Sequence, residues 1–168
     1  MKNLVSAQAD GIPTSFSNLK REQSNIYETL KKMLGIGSRM DPRGGVHKIF
    51  RQKFAAKEEE KLLKVSQCYL STTAGAIACL LFISTEKIAF CSKRSLRFTS
   101  SSGELIKTPY KVILPLKKIK RATESENVHK PTEKYLEIFT VDSFDFWFMG
   151  FVDCQKTFKY VQQAISQF

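Results

Sequence analysis

The sequence predicts a mainly β protein, a small antiparallel barrel or orthogonal sandwich closed by a C-terminal α-helix and preceded by a mobile N-terminal arm. Three observations predict it. Short apolar runs bounded by turn residues recur from Leu62 to Phe151, which is the pattern of a multi-strand antiparallel protein. Within them FDFWFM alternates, Phe144, Phe146 and Phe148 pointing one way and Asp145, Trp147 and Met149 the other, so one face meets a core. From Phe151 the apolar period changes to steps of three and four, through Cys154, Phe158, Val161, Ile165 and Phe168.

Residues 1–46 are rich in Ser, Asn and Gln and hold few large apolar groups, so most of this arm is expected to be mobile. Its exception is IYETLKKML. Asn25 can cap a helix with Glu28 three residues on, Ile26, Leu30 and Met33 share a face, and Gly35 stops the helix, giving a short amphipathic element over about 25–34. A helix this short is marginal alone in water, so its apolar face needs the domain, a partner or a membrane to dock on. Ile26, Leu30 and Met33 are therefore candidate membrane or partner contacts. Gly35, Gly37, Gly44 and Gly45 around Pro42 read as a flexible connector.

A single domain is expected over 47–168, with strands at 62–70, 77–84, 87–91, 96–99, 110–114, 116–122, 135–141 and 144–151. Pro109 and Pro115 bracket KVIL and give that strand sharp ends or an edge position. Gly75, Gly103 and the loop from Glu124 to Pro131 supply turns. The hydroxyls of Ser71, Thr72 and Thr73, before Gly75, are expected to close the first hairpin turn on the backbone, a phosphate-binding role being the sharper alternative. Asp153 is placed to cap the last helix, over 153–168, where core packing is favoured over a coiled coil because only about two heptads are available. Trp147 and Phe151 are expected to pack against that helix.

Length and composition set the function classes. A chain of 168 residues makes about one domain and buries roughly 70% of its unfolded surface, and 42% hydrophobic residues are enough to fill a core. The longest apolar stretch, Gly75 to Ile83, is far shorter than the roughly 20 residues that cross a bilayer, and the N-terminus lacks a charged start followed by an apolar run. The expected location is the cytosol or nucleus, without an anchor. Cys68, Cys79, Cys91 and Cys154 form no CxxC pair and have no histidine at ligand spacing, so they read as reduced, buried small hydrophobes and no metal is expected. His47 and His129 fall in loop-like sequence, and no GxSxG, HExxH, P-loop or GxGxxG occurs. No catalytic residues and no cofactor are assigned.

Charge is the main functional signal in the residues themselves. There are 27 Lys and Arg against 16 Asp and Glu, a net +11, which favours anionic partners. Two clusters are dense, Lys93, Arg94 and Arg97 after the third strand and Lys117, Lys118, Lys120 and Arg121 after VILPL. These seven are the candidate lipid-binding residues. Basic side chains near an anionic leaflet contribute about 1 kcal/mol each, so four of them reach only a dissociation constant of about 1 mM. Such a patch needs a second contact, from a headgroup, an inserted apolar element or a bound protein. A nucleic-acid-associated or nuclear regulator is the alternative, with KKIKR as a weak import signal. It is disfavoured because the aromatic strand FDFWFMGF carries no basic neighbour with which to build a stacking groove.

The stretches KLLKVSQCYLSTTAG, LLFISTEKIAFCS, YKVILPLKKIKR and KYLEIFTVDSFDFWFMGF resemble the plant GEM-like proteins, the GRAM-domain group often labelled abscisic-acid-responsive. The resemblance covers about 120 residues from Phe50 onward. It implies a pleckstrin-homology-like fold, with the GRAM motif over about 48–126 completed by strands within 134–151 and the helix at 153–168. It implies no enzyme but an adaptor that binds intracellular proteins and, weakly, anionic membrane lipids such as phosphoinositides, in hormone- or stress-responsive signalling. Peripheral attachment to an anionic membrane is one location that this implies. The chain departs from the pattern at Glu58 to Glu60, where a Pro-Gly turn is more usual, and at Ala76 and Cys79, where Pro and Gly are. In pleckstrin-homology domains basic residues flank the first hairpin loop, whereas the loop here, STTAGA, carries none.

Overall fold

The computed structural model describes residues 42–167 and, before them, Glu28 alone. Helix α1 (Pro42–Phe54) is followed by strands β1 (Leu62–Thr72), β2 (Gly75–Ser84), β3 (Lys87–Ser92), β4 (Leu96–Thr99), β5 (Leu105–Thr108) and β6 (Lys111–Pro115). A 3-10 turn (Leu116–Lys118) then leads to β7 (Ile119–Glu126), β8 (Lys134–Thr140), β9 (Asp145–Met149) and helix α2 (Cys154–Ile165). Seven strands form one sheet in the order β6-β3-β2-β1-β9-β8-β7, every pairing antiparallel, and β4 and β5 form a separate hairpin.

The sheet folds over on itself. Phe90 on β3 and Phe148 on β9 lie three places apart in the strand order, yet their rings meet edge-on at 5.0 Å, and Phe146 meets Phe90 at 5.2 Å. Only a strongly curled sheet brings those strands face to face, with the long strand β1 as the corner. It pairs with β2 over nearly its whole length but with β9 only through Tyr69 and Leu70. The interior holds Leu81, Ile83, Ile88, Phe90, Leu136, Ile138 and Phe148, with Val161 and Ala164 of α2 closing it. This is an antiparallel β architecture capped by a C-terminal helix.

Helix α2 starts where Asp153 Oδ1 accepts the Lys156 N–H at 2.9 Å, the cap that the sequence predicts. Cys154, Thr157, Val161 and Ala164 are buried, while Phe158 and Ile165 are half-buried at the margin of its apolar face. Ser66 on β1 and Thr157 share a buried hydroxyl contact at 3.0 Å, which joins helix to sheet without an orphaned polar group. Phe168 and the segment carrying Ile26, Leu30 and Met33 lie outside the described residues.

Three expectations change. Pro42 to Phe54 form a helix where the glycines around Pro42 suggest a flexible connector. Pro42 sits at the first helical position, which suits its fixed φ, and Val46, Ile49, Phe50 and Phe54 follow at helical spacing. Its apolar face covers Leu80, Phe82, Ala89 and Cys91 on the outside of the barrel, with the Phe50 and Phe82 rings stacked at 5.7 Å. The helix ends with Ala55 at φ 48 and an Ala56 N–H to Arg51 C=O bond of 3.2 Å, a Schellman closure with alanine where glycine is usual. Second, LIKT at 105–108 is a strand that no expected element covers, and the expected strand at 116–122 begins with the 3-10 turn. Third, Trp147 does not face α2. Its neighbour Phe148 points into the barrel, so Trp147 points out, edge-on to Tyr135 at 6.4 Å and donating to Asp145 at 3.0 Å.

A buried ionic latch fastens α1 and its exit to the barrel. Glu60, buried, accepts from Ser84 Oγ at 2.6 Å and from the Lys57 N–H at 3.1 Å, and pairs with Lys87 Nζ at 3.3 Å. Lys87 also donates to the Phe54 carbonyl at 2.9 Å, and Lys111 to that of Lys53 at 3.3 Å. Two strand lysines thus satisfy the last carbonyls of α1, at the negative end of its dipole.

All four cysteines are free and buried. Burial pushes the Cys79 thiol up to about 12, Cys91 to about 11 and Cys154 to about 12, the last also raised by the Glu124 carboxylate. Folding therefore favours the protonated thiols, a contribution fully present below pH 9 and lost as pH rises from 9 toward 11 to 12. Native protein at pH 8 is expected to leave a disulfide reagent unreacted until denaturant is added, and to lose stability above pH 9. Rapid labelling of the native protein would contradict this burial.

Candidate functional site

The seven basic residues singled out in the sequence do not form one patch. Lys87 pairs with Pro115 and Cys91 with Lys111, so β3 and β6 run in opposite directions along one ladder. Lys93 and Arg94 leave one end of it and Lys117 and Lys118 leave the other, with about 14 Å of ladder between.

At the first end Lys93 is half-buried, its N–H bonded to the Ala78 carbonyl at 2.9 Å and its ammonium to Gln67 Oε1. Arg94 and Arg97 are exposed, and Arg97 lies directly opposite Lys107 on β5, like charges that repel across the hairpin. In the adjacent first hairpin the Thr72 hydroxyl donates to the Gly75 carbonyl at 2.6 Å and accepts the Ala74 N–H at 3.3 Å. That hydroxyl is committed to the turn, whose Gly75 stands at φ +118, a conformation that suits glycine.

The second end is more organised. Lys117 and Lys118 occupy the exposed 3-10 turn, and the register of β7 against β8 shifts between Ile119 and Arg121. Ile119 lies opposite Thr140 and Arg121 opposite Phe139, so Lys120 is the extra residue of a bulge. In a regular strand neighbouring side chains point to opposite faces, and one of Lys120 and Arg121 would point inward. The bulge lets both stay outside. Their cationic groups lie 5.8 Å and 4.3 Å from the centre of the Phe139 ring. Strict alternation conceals this arrangement, and the only sequence sign of it is two basic residues in succession between buried Ile119 and Ala122.

Acidic neighbours reduce the charge. Glu137 lies 4.0 Å from Arg121 and also accepts from Thr123 Oγ1 at 3.0 Å. Asp142, in the turn between β8 and β9, has its carboxyl held below the usual range first by a hydrogen bond from Thr140 Oγ1, with Lys118 adding attraction. The surface is therefore less positive than four cations imply.

The turn from Thr140 to Phe144 borders this surface. The Val141 N–H donates to the Lys118 carbonyl at 2.8 Å, and Thr140 closes the turn by exchanging hydrogen bonds with Phe144. Val141 and Phe144 remain 59% and 60% exposed, an apolar feature not among the candidates drawn from the sequence. Among the described residues no group of three or more His, Cys, Asp and Glu is arranged to hold a metal ion, and no helix is long and apolar enough to cross a membrane. His47 is exposed on α1 and His129 in the β7–β8 loop.

Comparison with known proteins agrees with the resemblance in the sequence. The GRAM domain family matches residues 48–168. GEM-like protein 4 of Arabidopsis thaliana is 52% identical over 155 residues, covering 90% of this chain and 70% of that protein. Putative GEM-like protein 8 of the same plant is 52% identical over 156 residues, covering 90% and 71%. Among solved structures, the C-terminal domain of an unknown protein from Leishmania infantum superposes with a TM-score of 0.54 at 16% identity, over 71% of this chain and 97% of that domain, a likeness of fold alone. The chain belongs to the GRAM domain family and, within it, to the GEM-like proteins.

Proposed function

We propose that this protein is a non-catalytic GRAM adaptor that binds intracellular proteins and, weakly, anionic membrane lipids including phosphoinositides, in hormone- or stress-responsive signalling. The observation that carries the lipid part is the run of exposed cations Lys117, Lys118, Lys120 and Arg121, the last two of which the bulge turns to the same side, beside Phe139. Lys93, Arg94 and Arg97 make a second, separate candidate contact. A location in the cytoplasm or nucleus, with peripheral attachment to membranes, belongs to the same reading. A nucleic-acid role is less well supported, because Trp147, Phe148 and Met149 are buried and offer bases no stacking platform.

Changing Lys117, Lys118, Lys120 and Arg121 together to Gln is expected to abolish low-salt sedimentation with phosphatidylserine or phosphoinositide vesicles. The melting temperature should hardly move, since exposed charges contribute about 0–1 kcal/mol each. Unaltered retention would remove this surface from the lipid reading. Retention also abolished by Lys93, Arg94 and Arg97 to Gln would mean that two contacts are used together.

A further inference from the structure

Isolated exposed apolar side chains are ordinary on protein surfaces. Val141 and Phe144 are two in one four-residue turn, and they adjoin the cationic surface directly, through the 2.8 Å bond from the Val141 N–H to the Lys118 carbonyl. The turn that presents them is fixed. The Thr140 N–H donates to the Phe144 carbonyl at 2.9 Å, the Phe144 N–H to Thr140 Oγ1 at 3.0 Å, and Ser143 sits in the left-handed region at φ 69. Phe144 also stacks on Phe146, whose ring continues inward to Phe90. An exposed Phe held this way loses little further freedom when it is buried by a partner.

We propose that the β8–β9 turn is a membrane-inserting edge, Val141 and Phe144 entering the headgroup region of an anionic bilayer while Lys117, Lys118, Lys120 and Arg121 engage its lipid phosphates and carboxylates. This rests on the lipid-binding reading above and supplies what the charges lack. Four partly neutralised cations hold a membrane weakly and are screened by salt, whereas an apolar contact is not. Stable attachment generally takes two such signals together. The apolar pair and the cationic flank are complementary to one surface, a bilayer with anionic headgroups over hydrocarbon, with the exposed Asp142 of the same turn staying at headgroup level.

The experiment is co-sedimentation of the full chain with phosphatidylcholine vesicles, without and with phosphatidylserine, at low and physiological salt. Val141→Ser with Phe144→Ser is expected to keep low-salt binding to the anionic vesicles and to lose about tenfold or more at physiological salt. Val141→Ile with Phe144→Leu, which keeps the tip apolar, should bind as the parent does. That pair separates loss of insertion from loss of fold. Undiminished binding of the serine variant at physiological salt overturns the insertion and leaves the cationic contact standing. Equal losses in the serine and the apolar variants also overturn it, because apolarity would then not be what matters. A parent chain that binds no anionic vesicle at either salt overturns the lipid reading itself, and the surface then falls to an acidic protein.

Discussion

Phe90→Ala is expected to destabilise the domain by about 3–5 kcal/mol, lowering the melting temperature by on the order of 10 °C. Phe90 is fully buried and touches three other aromatic rings, Tyr110 at 6.3 Å, Phe146 at 5.2 Å and Phe148 at 5.0 Å. Those rings belong to β9 and to the residue just before β6, so this side chain stands where the curled sheet meets itself. Truncation opens a cavity among groups fixed on different strands, which cannot all move in to fill it. Urea titration of the variant gives the number directly. A cost below about 1 kcal/mol would mean that the two halves of the sheet are not held together through this ring.

The second large effect is expected at Glu60. Replacing it with alanine leaves the Lys87 ammonium, 13% exposed, without its carboxylate and the Lys57 N–H without its acceptor, while the Ser84 hydroxyl keeps only the Lys87 carbonyl at 3.0 Å. Breaking a buried pair from one side typically costs about 3–5 kcal/mol, because the remaining charge stays desolvated. Changing Lys87 to Met as well should recover much of the loss, since no orphaned charge then remains. A double-mutant cycle tests this: a coupling below about 0.5 kcal/mol would mean that the two residues act independently and that Lys87 is held by the Phe54 carbonyl instead.

Much of the barrel was legible because its strands are amphipathic or sharply bounded. Alternation, Pro109 and Pro115, and the change of period at Phe151 locate strands and the last helix to within a few residues. Helix α1 was not, because Gly44 and Gly45 in its first turn are poor helix formers and its apolar face serves only one side of two strands. A signal for it was present in ACLLFI, an apolar run that does not alternate, which implies cover on both faces of β2. β5 is short and half-polar, so nothing but its partner β4 marks it as a strand.

The basic clusters could be counted in the sequence but not placed. Their separation depends on the direction of the β3–β6 ladder, and the shared orientation of Lys120 and Arg121 depends on a single inserted residue. Trp147 was misplaced for a related reason. Both faces of β9 are buried near its end, so alternation alone does not say which face meets the helix.

Helix α1 turns β2 into a wall with a packed interior on either side, Leu81 and Ile83 toward the barrel and Leu80 and Phe82 toward the helix. A strand with one wet face tolerates polar substitution at every second position, and relatives diverge in that rhythm. Leu80 to Ile83 have no such silent positions. Their variation is confined to exchanges between apolar side chains of similar size, so this stretch, like Ile88 to Cys91 beside it on β3, should drift more slowly than the strands with a wet face.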